Sequence, residues 1–194
     1  MLVGICGNLG AGKTLTLTFF GWYLHTQLGA PLYTNYWVSM PHKTISTLDA
    51  IDTITGGVFL GDELWSWMDS RGFGTQKNMQ IAKILLKSRK RGIDIFYTTQ
   101  HFKQMDARVR RITDILCFPE MSKSGCCTVH FFNYFMERVR KPLIFKSAYF
   151  FDKYNTEEEV EDIKGFEADK ALRKIKEAKA IQKAKKMGIN LDKD

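Results

Sequence analysis

Hydrophobic and polar positions along this chain fall into two alternating periods. A short apolar run, "LVGIC" (Leu2 to Cys6), leads into the polar, glycine-rich octet "GNLGAGKT" (Gly7 to Thr14), and "LTLTFFGWYLHTQL" then continues at helical spacing. Strand, loop and helix are the elements this predicts. "PLYTNYWV" (Pro31 to Val38) is β-branched and aromatic enough for a strand, and "ISTLDAI" predicts a short helix before the turn "TGG". "GVFLGDE" (Gly57 to Glu63) is an apolar run closed by two carboxylates, the pattern of a buried parallel strand ending at a catalytic edge. "KNMQIAKILLKSRKR" spaces Met79, Ala82, Leu85 and Leu86 for a helix, and "GIDIFYTTQ" is a further buried strand ending in polar groups. Such alternation predicts an α/β fold, a mainly parallel central sheet flanked by helices, with ligands gathered at the carboxyl ends of its strands.

Beyond "RITDILCF" (Arg111 to Phe118) the texture changes. "CCTVHFFNYFME" and "LIFKSAYFF" flank a turn expected near "RVRKP", a β-hairpin that adds an antiparallel edge to the sheet. From Thr156, "TEEEVEDI" offers an Asn155/Thr156 cap with acids in the first turn. "EADKALRKIKEAKAIQKAKKM" then spaces Ala171, Leu172, Ile175, Ala178 and Ile181 along a thin stripe. The organisation expected is a P-loop domain with its hairpin over residues 1–155 and an acidic-then-basic helical extension over 156–194. That extension is either a solvated tail or a helix docking on a neighbouring subunit.

Composition narrows the class. A chain of 194 residues, 44% hydrophobic and 13% aromatic, is long enough for one domain with a sizeable core. No apolar stretch approaches the roughly 20 residues of a membrane-spanning helix, so a soluble protein without a transmembrane segment is expected. "MLVGIC" lacks a basic n-region and runs directly into the glycine-rich loop, which argues for a core strand and against a signal peptide. Cys6, Cys117, Cys126 and Cys127 have no zinc-like spacing, so reduced structural thiols of a cytosolic protein are expected. The net charge of +8 is concentrated: between Gln76 and Arg111 ten Lys/Arg stand against Asp94 and Asp106. That excess is expected near the catalytic edge, where it suits a polyanion such as nucleic acid; the plainer alternative is a solvated basic helix face.

The octet carries the chemistry. Gly7-x4-Gly12-Lys13-Thr14 fits the phosphate-binding P-loop, with Gly7, Asn8, Leu9, Gly10, Ala11 and Gly12 presenting backbone N–H groups to an anion at a helix N-terminus. Lys13 reaches the β- and γ-oxygens of ATP and the Thr14 hydroxyl takes Mg²⁺. In "VFLGDE", Asp62 suits the second hold on Mg²⁺, and Glu63, projecting differently, suits the polarisation of an attacking water. Hydrolysis follows from water as nucleophile. A small phosphotransferase would need an acceptor pocket and an arginine-bearing lid, and a GTPase an N-K-x-D signature, which is absent. Thr99 and Gln100 close the strand "IDIFYTTQ", and Gln100 suits a sensor bonding both the γ-phosphate and the lytic water.

The succession "GNLGAGKT", "VFLGDE", "SRKRGIDIFYTTQ" and a basic segment ending in "RRITDI" resembles the FtsK–HerA branch of RecA-like motor ATPases. Within it, the short chain and "DELWSWMDSR" resemble the genome-packaging ATPases of membrane-containing icosahedral DNA viruses, especially archaeal ones. "YTNYWV" and "RGIDIFYTTQ" are also similar to the zonula occludens toxin-like assembly ATPases of filamentous phages. The resemblance implies a RecA-like P-loop fold and a motor that couples ATP hydrolysis to translocation of double-stranded DNA. It also implies a pentameric or hexameric homo-oligomeric ring, capsid or membrane vertex proteins as partners, and a location in the host cytoplasm and at a virion vertex. The second similarity implies instead an assembly ATPase acting on coat proteins. In the family, an arginine three residues before the glycine that opens the sensor strand acts on the neighbouring subunit's γ-phosphate; it falls on Arg89, with Arg71 and Arg91 as rivals.

Overall fold

The structure, a computed structural model, describes residues 1–64 and 76–155. The strands in chain order are β1 (Leu2–Cys6), β2 (Leu32–Thr34), β3 (Lys43–Thr44), β4 (Gly57–Gly61), β5 (Ile93–Thr99), β6 (Ile115–Met121), β7 (Cys126–Phe132) and β8 (Arg138–Lys146). They form one sheet in the order β3-β2-β4-β5-β1-β6-β7-β8. Strands β1 to β6 pair in parallel. The hairpin adds β7 and β8 antiparallel to β6. The mixed α/β sheet expected from the sequence is therefore present.

Helix α1 (Lys13–Leu28) packs on one face and α3 (Gln76–Lys90) and α4 (Ala107–Ile112) on the other, while α2 (Leu48–Thr53) packs against α3. The alternation of β5 assigns its side chains to those faces. Phe96 meets Phe20 of α1 at a centroid distance of 5.3 Å, whereas the Tyr97 hydroxyl bonds Thr113 Oγ1 at 2.8 Å on the other face. Helix α1 lies close because Gly21 has no side chain: a Cβ there would stand 2.4 Å from Leu60 Cδ1. The hairpin then covers the outer flank of α1, stacking Phe145 on Phe19 at 4.2 Å.

Four expectations change. The strand read over Pro31 to Val38 is only Leu32–Thr34. Thr34 Oγ1 bonds the Tyr36 carbonyl, a local side-chain bond that competes with the ladder, and the Asn35 side chain bonds the Asp62 carbonyl just beyond β4. The hairpin turn lies at Asn133–Glu137, so "RVRKP" is part of β8. Asn133 makes that turn by accepting the N–H groups of Phe135 and Glu137 on its side chain, with Met136 in the left-handed region at φ 62°. On α3 the buried residues include Ile84 and Leu85, but Leu86 is exposed. The basic run is not gathered at the carboxyl edge. Arg89 in the last turn of α3 and Arg91 just after it stand before β5 begins, at the amino edge, and Arg89, Arg91 and Arg108 pair with Asp114, Asp52 and Asp106. Met79 and Ala82, Arg71 and the extension over 156–194 have side chains outside the described residues.

Candidate functional site

The P-loop connects β1 to α1 at the carboxyl edge of the central strand. Gly10 and Gly12 adopt φ 75° and 90°, values that side-chain-bearing residues rarely take. Gly12 is the N-cap of α1 and offers no side-chain cap, so the first N–H groups of a buried helix face the loop without a protein acceptor of that kind. An anion satisfies them, aided by the helix dipole. The loop is backed by the hairpin: a Cβ on Gly12 would stand 3.1 Å from Met121 Sδ, and Thr16 Oγ1 lies 3.6 Å from Cys127 Sγ. Lys13 Nζ donates to the Asn8 carbonyl at 3.2 Å, folded over the same loop that a phosphate would fill.

Strand β5 lies between β1 and β4, so the P-loop and the acidic pair face each other across its carboxyl end. Thr14 Oγ1 donates to Asp62 Oδ2 at 2.9 Å, and Thr98 Oγ1 donates to Asp62 Oδ1 at 2.6 Å. Asp62 is 7% exposed. Burial pushes its carboxyl up from the ordinary range, against the Thr98 and Thr14 hydroxyls, the Glu63 N–H and the Lys13 charge. A buried carboxylate whose oxygen sits on the P-loop threonine hydroxyl is an oxygen donor pair of the kind Mg²⁺ takes, with phosphate and water completing the shell. Among the described residues no cluster of three or more His, Cys, Asp or Glu offers an alternative metal site.

Two residues that the sequence reading passed over hold this arrangement. Asn35 clamps the Asp62 main chain from both sides: its Nδ2 donates to the Asp62 carbonyl at 2.8 Å and its Oδ1 accepts the Asp62 N–H at 2.7 Å. Thr98 accepts the Glu63 N–H at 2.7 Å while donating to Asp62, so a single buried hydroxyl links both acids. Glu63 itself is exposed, with its backbone in the strained left-handed region at φ 47° directly after the buried Asp62. Gln100 directly follows β5 and is half-buried at the same edge. The signal available for Thr98 was its place two residues before Gln100; for Asn35 there was none, because its contact is with a strand 27 positions away.

Arg89 lies elsewhere. Its Nη2 donates to Asp114 Oδ1 at 2.6 Å and to the Ile112 carbonyl at 2.8 Å, beside the start of β6 and at the opposite edge from the chain's own P-loop. Arg91 bonds Asp52 Oδ1 at 2.8 Å near the same edge. Neither guanidinium reaches the candidate nucleotide site of this chain.

No family model and no curated protein matches the sequence. Solved structures do match the fold. The N-terminal domain of zonular occludens toxin from Neisseria meningitidis superposes with a TM-score of 0.57 at 20% identity, covering 79% of this chain and 98% of that one. The DNA-packaging ATPase B204 from Sulfolobus Turreted Icosahedral Virus gives 0.51 at 13% identity, covering 75% and 96%. The genome packaging NTPase B204 from Sulfolobus turreted icosahedral virus 2, in complex with AMP, gives 0.51 at 10% identity with the same coverage, 75% and 96%. With its P-loop, parallel sheet and flanking helices, this chain has the fold of the RecA-like P-loop ATPases.

Proposed function

We propose that this protein is a Mg²⁺-dependent ATPase that works as a motor of virion assembly, translocating double-stranded DNA into a capsid. The observation that carries the ATPase reading is the Thr14–Asp62–Thr98–Glu63 chain of hydrogen bonds, which joins a nucleotide loop to the main chain of an exposed glutamate. Gly7 to Thr14 bind the phosphates, and Thr14 and Asp62 hold Mg²⁺, which neutralises phosphate charge when bound. Glu63 takes a proton from the attacking water and Gln100 orients it. Packaging of DNA is supported by the likeness to B204 and by the net charge of +8, and a homo-oligomeric ring bearing on a capsid or membrane vertex is part of that reading.

A second reading, an assembly ATPase acting on coat proteins, is favoured by one observation. Three arginines of the basic run are paired with carboxylates, which lowers the positive field available to a polyanion. The likeness to the toxin domain agrees with it. The two cargos separate in one experiment, the ATPase rate with and without double-stranded DNA over a salt series. Stimulation with salt-sensitive DNA binding supports packaging. An unchanged rate and no salt-dependent binding leaves coat assembly.

A further inference from the structure

The hairpin tip has no part in the nucleotide site. Tyr134, Phe135 and Met136 stand in succession at the turn between β7 and β8, exposed by 42%, 80% and 55%. Scattered apolar residues on a surface need no explanation, but three large ones on one rigid turn do. Asn133 fixes the turn. Its Oδ1 accepts the N–H groups of Phe135 and Glu137, both at 2.9 Å, and its Nδ2 donates to Glu137 Oε2 at 2.7 Å. The main chain adds Asn133 N–H to the Glu137 carbonyl at 2.9 Å and Met136 N–H to the Asn133 carbonyl at 3.0 Å. Most N–H groups of the turn are thus bonded within it, and the side chains are what it presents. Internal bonding of this kind lowers the cost of bringing a turn against an apolar phase.

Behind the tip comes charge. From Asn133 to Lys146 four cations, Arg138, Arg140, Lys141 and Lys146, oppose one anion, Glu137. The Arg140 guanidinium lies over the Phe131 ring at 4.7 Å and the Arg138 guanidinium over Phe132 at 5.9 Å, so both cations are held against aromatic faces of β7 directly behind the tip. An apolar tip with a cationic collar matches the two layers of an anionic bilayer, acyl boundary and headgroup. A DNA groove matches it less well: β7, the other strand of the ribbon, carries no Lys or Arg between Cys126 and Phe132. We propose that the Tyr134–Met136 tip docks this protein on an anionic lipid surface, with Arg138 and Lys141 contacting the headgroup phosphates.

Flotation with vesicles tests this and does not depend on nucleotide turnover. The wild-type chain is expected to float with vesicles of mixed phosphatidylcholine and phosphatidylglycerol, more weakly in high salt, and not with phosphatidylcholine alone. Phe135→Ser with Met136→Asn, a residue that tolerates the left-handed position, should reduce vesicle affinity by about tenfold or more with unchanged melting temperature. Arg138→Gln with Lys141→Gln should abolish the preference for anionic vesicles. Absence of wild-type binding, or equal binding by the tip variant, overturns the proposal. A gel shift of duplex DNA that is lost in the tip variant, without vesicle binding, overturns it in favour of nucleic acid.

Discussion

Thr98 is the residue on which the two acids turn. Its hydroxyl is fully buried, donates to Asp62 and accepts from Glu63, so removing it leaves a buried carboxylate oxygen and a strained N–H without their partner. Leaving a buried polar group unsatisfied costs about 1–3 kcal/mol. Thr98→Val keeps the shape and is expected to lower kcat by roughly 10- to 100-fold while ATP affinity holds, because the P-loop contacts are untouched. Thr98→Ser should restore most of the rate. A steady-state ATPase assay beside nucleotide titration reads both, and an equal loss of affinity would mean that Thr98 only supports the fold. Glu63→Gln should bind ATP normally and lose turnover by about 10²-fold or more, as expected of a general base. Turnover near wild type would remove Glu63 from the chemistry.

At the scale of elements, the strands that carry the site were legible because each is a buried apolar run closed by polar groups, "LVGIC" before the P-loop and "GVFLGDE" before the acids. What escaped was set by side-chain bonds that periodicity does not encode. "PLYTNYWV" reads as a strand, yet pairing stops at Thr34, whose hydroxyl bonds the Tyr36 carbonyl, and the Asn35 side chain clamps Asp62; "RVRKP" reads as a turn, yet Asn133 makes the turn earlier. The arginine positions were legible as charge but not as place, since nothing in the spacing fixes which sheet edge α3 ends at. The neighbouring central strands also carry a pH signature. Burial pushes the Cys6 thiol of β1 up to about 12 and the Cys117 thiol of β6 and the Tyr97 phenol of β5 further up. In the unfolded chain these groups lose protons at ordinary values, so the unfolded state binds fewer protons at alkaline pH. The stabilisation is complete below about pH 9 and is lost progressively towards pH 12. Denaturant midpoints should therefore fall across that window, and iodoacetamide at pH 8 should label half-buried Cys126 well before Cys6 or Cys117. A flat midpoint from pH 8 to 11 would contradict the burial of these groups.

For the whole molecule, the question is why a P-loop chain keeps an arginine at the edge opposite its own nucleotide loop. Arg89 is bound to Asp114 and to the Ile112 carbonyl at that amino edge, so within one subunit it holds α3 to the start of β6 and does no chemistry. In a ring, however, heterologous contacts set one flank of a subunit against the nucleotide edge of the next, and an arginine far from its own P-loop is then positioned only by assembly. If Arg89 acts in this way, Arg89→Ala should bind ATP at its own P-loop yet lose hydrolysis by about 10³-fold, the scale of arginine fingers. Loss of the Asp114 pair alone predicts something different, a modest fall in stability of about 0–1 kcal/mol for a pair this exposed, with turnover kept. Mixing separates the two. A Lys13→Ala subunit cannot use its own nucleotide but still offers Arg89; an Arg89→Ala subunit has an intact P-loop and no finger. Combined under conditions where wild-type subunits assemble and turn over, the two inactive proteins should regain part of the ATPase activity at interfaces that pair the intact loop with the intact arginine. A mixture that stays inactive rejects Arg89 as the trans-acting group, and the same complementation with Arg71 or Arg91 in its place then identifies which arginine completes the site.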